Sequence, residues 1–368
     1  MRSIGLMILL LLAATPPAVF SLDITETARM QVPDGAAIVP SESGWISHRP
    51  KLVTVYEDNH EPAHEKSTKL NERVEISDAG SYYSILKYND NSPTTFSLLR
   101  VDVFNNAGER VYSVDKPRAS SIRLSDADGS AVGIVGAKGF PSSELDVYDR
   151  AGMISHTLHV TFLTGISFEP ASGLMFVNSA DSGLVAYDMS GVEVHRYGIA
   201  RNFCVSGDGE FVATTNSIGI SYFKSGLKIK SMAEAPGLTG TDIDMRFDSG
   251  ASRLAVLGFD HLRVYSLPTL ELIWELKSRE PNARYSALDS SDDGLIAVGY
   301  DVPMKRNGNT SHTQGGVLLL DWNGTELHNM ELKYADWTIG HPLVRFSSGG
   351  ELLKIATRNE AYLLTISR

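Results

Sequence analysis

Apolar and polar side chains alternate in short runs along most of the chain. "LRVDVFNNAGERVYSV" (99–114), "ELDVYDRAGMISHTLHV" (144–160), "GLVAYDMSGVEVHRY" (183–197), "LRVYSLPTLELIWEL" (262–276) and "GVLLLDWNGTELHNMEL" (316–332) each give two alternating stretches around a polar turn. A period of two is that of a strand with one face buried. Asn106-Ala107-Gly108, Arg150-Ala151-Gly152 and Asn323-Gly324 supply the positive backbone angles that tight hairpins need.

A second column recurs in phase with the first, a small acidic turn between two apolar stretches. It reads "ISDAG" at 76, "LSDADG" at 124, "FEPASG" at 168, "VSGDG" at 205, "FDSGAS" at 247, "DSSDDG" at 289 and "FSSGG" at 346. The seven turns recur about every 40 residues with a longer last gap, the repeat length of a four-stranded propeller blade. The expected fold is therefore all-β, a seven-bladed β-propeller of four-stranded antiparallel blades. A short meander cannot bury both faces alone and must stack on its neighbours.

The final unit, "FSSGGELLKIATRNEAYLLTISR", is one strand short of a blade, and "PKLVTVYED" at 50–58 alternates well enough to supply it. Pairing an N-terminal strand into the last blade would close the ring and remove two sheet edges. The expected organisation is a signal peptide over 1–21, an N-terminal extension over 22–49 and the propeller over 50–368. Within the propeller, residues 51–57 form the closing strand and 58–72 an acidic linker.

The repeat pattern resembles the broad superfamily of WD-repeat-like and quinoprotein-like bacterial propellers across nearly all of residues 50–368. The resemblance implies architecture alone. The Gly-His and Trp-Asp pairs of eukaryotic WD repeats do not recur, and "VYSLPTLELIWELK", with Trp274, is similar to a single quinoprotein-type repeat in which Thr-Leu stands for Thr-Gly. No quinone site carries over, and no cofactor is expected.

"MRSIGLMILLLLAATPPAVFS" has one Arg, an apolar run from Ile4 to Ala14 and a small-residue end, the pattern of a secretory signal. The run is short of the roughly 20 residues of a membrane span. Export to the periplasm or beyond is expected, with no span after cleavage. Net charge is −11 and no Lys/Arg cluster is present, which argues against nucleic acid and anionic membrane surfaces as partners. Cys204 is the single cysteine, so the core rather than a disulfide holds the fold. In "NFCVS" it reads as a small apolar residue.

His60-Glu61-Pro62-Ala63-His64 matches the letters of the H-E-x-x-H zinc-protease motif. That chemistry needs both histidines on one helical face, whereas Pro62 opposes a helix interior and "KLVTVYEDN" before it reads as a strand. Asp126, Asp128 and Gly129 in "SDADGS" start like a calcium loop, but "SAVGIVG" after them offers no further oxygen ligand. No metal site is expected, and neither a Gly-x-Ser-x-Gly elbow nor a phosphate loop is present.

In a propeller the second-to-third-strand loops and the connections between blades share one face. Three such loops exceed hairpin length, at 88, 136 and 299, the last being "GYDVPMKRNGNTSHTQGG", and long loops on a rigid scaffold are where binding residues sit. Lys138, Phe140, Lys305, Arg306 and His312 on these loops, with Arg201, Trp337 and His341 just before first strands, are the candidate ligand-binding residues. Their positive side chains suit an anionic ligand or an acidic partner surface. The leading expectation is a monomeric, exported, non-catalytic scaffold that binds a protein or glycan through this face. The alternative is a lactonase-like or other hydrolase with its site at the channel mouth.

Overall fold

The structure, a computed structural model, describes residues 22–32, 36–41, 44–49, 51–69, 72–78, 80–88, 98–135, 142–169, 172–216, 219–233, 244–278, 283–306, 309–333, 341–347 and 349–367; at 233, 304–306, 309–313 and 333 it describes the backbone alone. The expected signal peptide, 1–21, lies outside the described residues.

The strands form eight four-stranded antiparallel sheets, seven of them simple meanders of four consecutive strands. The blades begin with inner strands Ala37–Ser41, Glu72–Ile76, Ser121–Leu124, Leu163–Glu169, Asn202–Val205, Asp244–Phe247, Arg284–Ser290 and Leu343–Phe346. They are numbered one to eight here. The turn columns seen in sequence have a hydrogen-bonded basis. After the inner strand, a serine hydroxyl accepts the N–H that opens the second strand: Ser77 from Tyr82, Ser206 from Phe211, Ser291 from Leu295 and Ser347 from Leu352. After the third strand, Asp149, Asp188 and Asp321 each accept two turn N–H groups, the Asx-turn chemistry that makes these sites selective for Asp.

The expected seven blades are thus eight, and the closing strand is a different one. Leu52–Tyr56, expected to close the ring, is the third strand of blade one, between Gly44–Arg49 and Pro62–Ser67. The stretch expected as an extension holds the first two strands of that blade, and the expected acidic linker holds its outer strand and the start of blade two. Closure by an N-terminal strand does occur, but through Asp23–Gln31, which pairs with Glu360–Ser367 from Asp23↔Ser367 to Gln31↔Glu360. Both surprises share a cause. Outer strands face solvent, so Asp23–Gln31 and Pro62–Ser67 lack a strong apolar face, while "PSESG" at 40–44 is a degenerate copy of the turn that marks the other blades.

The core lies between blades. One cluster joins Ala213, Ile220 and Tyr222 of blade five to Met245, Phe247 and Leu254 of blade six. Another closes the ring by packing Val32, Ile38 and Trp45 on Ala356 and Ala361 of blade eight. Burial of two blade faces at once is what makes a single blade dependent on its neighbours.

A rim column adds to this. A ring on the outer strand of one blade sits under the third-turn glycine of the next: His64 under Gly108, His156 under Gly191, His195 under Gly226 and Trp274 under Gly324. A Cβ on Gly108 would lie 2.3 Å from the His64 ring. His64 therefore belongs to a blade-docking column on strands, and His60 lies in the preceding turn at φ 68, 5.3 Å ring to ring from Trp45. No helix carries the H-E-x-x-H letters. Asp126 accepts from Ser77 Oγ and Ser81 N, and Asp128 accepts from Ser130 N and Arg150, so turn and blade contacts account for both.

The expected long loop at 299–316 is mostly strand. Leu295–Arg306 and Asn309–Asp321 remain paired out to Arg306↔Asn309, against second and third strands of five or six residues in blade six.

Candidate functional site

Aligned on the turn that follows, the eight inner strands place Val39, Glu75, Arg123, Ser167, Cys204, Arg246, Asp289 and Arg345 at equivalent positions. Six of these, all but Glu75 and Arg123, line a central cavity of about 730 Å³. Strand alternation explains the choice: the flanking residues, such as Met245 and Phe247, point into the blade interfaces, and the residue between them turns to the axis.

The charged members of this ring engage one another. Arg123 Nη1 is 2.8 Å from Glu75 Oε2. Arg246 lies 2.5 Å from Asp244 and 3.3 Å from Asp289, and the other Asp289 oxygen accepts the Phe346 N–H at 2.8 Å. Blades six, seven and eight are thereby tied together. Burial alone would lower the Arg246 pKa, but Asp244 and Asp289 outweigh it and hold it above its ordinary value. Arg345 reaches past Val39 and Pro40 to donate to the carbonyl of Asp78. The Asp78 carboxyl is pushed up by desolvation among the surrounding atoms and by neighbouring Asp126, against the pull of Arg123, Arg345 and Arg246. Cys204 is half-buried in the channel wall. Desolvation lifts its thiol pKa well above the ordinary value, with Arg246 opposing, the direction that disfavours the thiolate.

The other end of the cavity is different in kind. Its lining includes Thr164, Gly165, Asn178, Arg201, Asn202 and Leu343. Asn178 is 3% exposed. Its Nδ2 donates to Ala200 O at 3.0 Å, while its Oδ1 is buried without a partner, as is Asn202 Nδ2. Arg201 anchors its backbone N–H on Thr215 O at 2.6 Å, and its side chain is exposed with no ion pair among the described residues. This end opens on the face formed by blade connections and second-to-third-strand turns, which are hydrogen-bonded to each other: Ala180 N to Phe162 O and Tyr285 N to Phe259 O. Phe162, Ile199, Phe259 and Leu343 are exposed on that face, Ile199 at 66%, and Arg284 stacks on the Phe259 ring at 4.5 Å.

Of the sequence candidates, Arg201 lies at the channel mouth. His341 is on the same face, but its Nδ1 is 2.9 Å from Asp301 and it does not line the cavity. Lys305, Arg306 and His312 lie on the extended blade-seven hairpin, where the backbone alone is described. Lys138, Phe140 and Trp337 lie outside the described residues. Sequence reading missed Asn178, Asn202, Arg246, Asp289 and Arg345. A signal was present for the arginines: "IRLS", "MRFD" and "VRFS" put Arg between two apolar residues at one fixed offset from the turn.

No protein-family model matches the chain, and no curated protein matches it. Among solved structures, BamB from Moraxella catarrhalis is similar at 14% identity over 93% of this chain and 100% of that one, with a TM-score of 0.60. A structure titled as the eukaryotic initiation factor is similar at 13% identity over 90% and 89% of the two chains, with a TM-score of 0.55. The dihydro-heme d1 dehydrogenase NirN, in complex with DHE, is similar at 15% identity over 81% and 66%, with a TM-score of 0.53. At such identities the likeness is one of fold alone, which in this chain is an all-β propeller.

Proposed function

We propose that the chain is an exported, monomeric, non-catalytic scaffold that holds a protein or glycan partner on its loop face. The observation that carries this reading is the exposure of Phe162, Ile199, Phe259 and Leu343 on the face of blade connections and second-to-third-strand turns, with Leu343 also lining the central cavity. Large apolar groups with aromatic and Arg neighbours are the composition of an interface core. The extended hairpin of blade seven belongs to the same face and gives a partner a second purchase. On the inner strands, Glu75, Asp244 and Asp289 are engaged by Arg123 and Arg246, which suits a structural rather than a catalytic role for those carboxylates. The apolar run from Ile4 to Ala14 supports passage out of the cytoplasm.

The test is site-specific photo-crosslinking in the native host, with benzoylphenylalanine at Phe162 or Ile199 on the loop face and at Met153 or Leu227 on the outer rim. A discrete adduct from the loop-face positions and none from the rim is expected. Adducts from the rim alone would overturn the reading.

A further inference from the structure

We infer that the loop face docks an acidic protein surface; this rests on the loop-face reading and names the chemistry of the partner. The two faces of the propeller differ in charge. Among the described residues, the first-to-second-strand and third-to-fourth-strand turns carry sixteen carboxylates and one Lys or Arg, Arg150. The blade connections and second-to-third-strand turns carry two carboxylates, Asp181 and Asp260, against six cations, Lys51, Lys69, Lys116, Arg118, Arg201 and Arg358. A chain of net charge −11 thus keeps one basic face. No run of sequence shows it, because apart from Lys116 and Arg118 each of these cations comes from a different turn or connection.

The fold accounts for the acidic face and not for the basic one. Asp128, Asp149, Asp188, Asp208 and Asp248 each accept a backbone N–H of their own turn, so turn chemistry selects Asp there. On the basic face only Arg118 has carboxylate partners, Glu144 at 3.0 Å and Asp146 at 2.6 Å. Lys51, Lys69, Lys116, Arg201 and Arg358 are exposed, and their side chains make no ion pair or hydrogen bond among the described residues. Cations that hold nothing within the chain are placed to meet negative charge outside it. Phe162, Ile199, Phe259 and Leu343, exposed on the same face, decide which polyanion fits. Duplex nucleic acid carries a charge about every 1.7 Å, far denser than one cation per connection, and presents phosphate rather than apolar surface to these side chains. An acidic protein surface offers carboxylates and apolar groups together. The acidic far face adds orientation: a negative partner is repelled there and drawn to the loop face, which speeds productive encounter and makes it salt-dependent.

The probe is a fluorescein-labelled random copolymer of glutamate and tyrosine, which presents carboxylates beside apolar rings. Its association with the full chain is followed by stopped-flow fluorescence, with an oligothymidylate of matched charge as the nucleic-acid comparison. Arg201→Glu/Arg358→Glu reverses two loop-face charges. Lys228→Glu/Lys230→Glu makes the same change in net charge on the outer strand of blade five, where both lysines are exposed. At about 50 mM salt the loop-face variant is expected to associate with the copolymer about tenfold more slowly than wild type, and the outer-strand variant within about twofold of it. At about 0.5 M salt screening should close the gap. Arg201→Gln/Arg358→Gln, expected to slow association about threefold, carries the test if charge reversal lowers the melting temperature.

Both reversal variants slowed alike, a loop-face variant as fast as wild type, no association with the copolymer, or faster association with oligothymidylate would each overturn the proposal, the last in favour of nucleic acid. Repeating the loop-face photo-crosslinking in the Arg201→Glu/Arg358→Glu background keeps the two readings apart. Loss of the adduct is expected. An adduct of undiminished yield from Phe162 or Ile199 means that the face is right and its partner is not acidic. Adducts from the rim alone remove the face, and the acidic partner with it.

Discussion

Glu360→Ala is expected to loosen the ring at its closure. Glu360 is 8% exposed. It accepts from Arg29 at 2.5 Å and Gln31 at 2.6 Å, both on the closing strand, and from the hydroxyl of Tyr362 on its own strand. The Arg29 side chain is 49% exposed, so screening holds that pair to below about 1 kcal/mol. Removing the acceptor from the buried Tyr362 hydroxyl costs about 1–3 kcal/mol, and the Gln31 bond adds about 1 kcal/mol, for a total near 3 kcal/mol. For a chain of 368 residues the unfolding entropy is about 0.7 kcal/mol per degree, which converts this loss to a fall in Tm of about 4 °C. Differential scanning calorimetry of wild type and variant at pH 7 reads it directly. The pH dependence has a definite sign. Burial raises the Glu360 carboxyl, but hydrogen bonds from Tyr362, Arg29 and Gln31 outweigh burial and hold its pKa below the ordinary value. Its contribution is then complete above the unfolded-state pKa, about 4.3, and is lost as pH falls through the folded value. The Tm gap between wild type and variant should be constant from about pH 8 to pH 6 and narrow below about pH 4. A gap under about 1 °C at neutral pH, or one that widens on acidification, would refute the reasoning.

Trp45 is fully buried where blade one meets blade eight. Trp45→Ala should cost about 3–5 kcal/mol, or about 4–7 °C in Tm; an unchanged melt would mean that residues 37–67 do not form a blade. Deleting residues 22–31 bares the edge of Glu360–Ser367 and should produce both a lower Tm and larger species by size-exclusion chromatography, since open edges template association. A deletion variant that elutes and melts like wild type would remove the closing strand from the fold. Asp289→Ala takes an acceptor from the Phe346 N–H and a partner from Arg246; with Asp244 still in place, a loss of about 2–3 kcal/mol is expected, read by chemical denaturation, and a loss below about 0.5 kcal/mol would show that the channel charges do not brace blades six to eight.

What the sequence determined by itself is everything local. Strand alternation in stretches such as 99–114, the Asp and Gly of the tight turns and the serine that opens the second strand in four of the blades are written within a few residues of one another. They specify an all-β chain of stacked meanders, and Pro62 together with the strand pattern of "KLVTVYEDN" before it was enough to set the H-E-x-x-H letters aside. What only the tertiary structure decided is global. The closing pair Asp23–Gln31 and Glu360–Ser367 lies at opposite ends of the chain, and an outer strand that faces water has no reason to carry the apolar alternation by which strands are recognised. Blade number went astray for the same reason, because one degenerate turn at 40–44 hid a blade whose outer strand is polar. The site is the extreme case. Asn178, Arg201 and Asn202 come from two neighbouring blades, and the arginines of the inner ring stand roughly one blade length or more apart in sequence; each looks ordinary in its own strand. Only closure of the ring turns them to a common axis, because an inner strand gains a channel-facing side when its neighbours complete the circle.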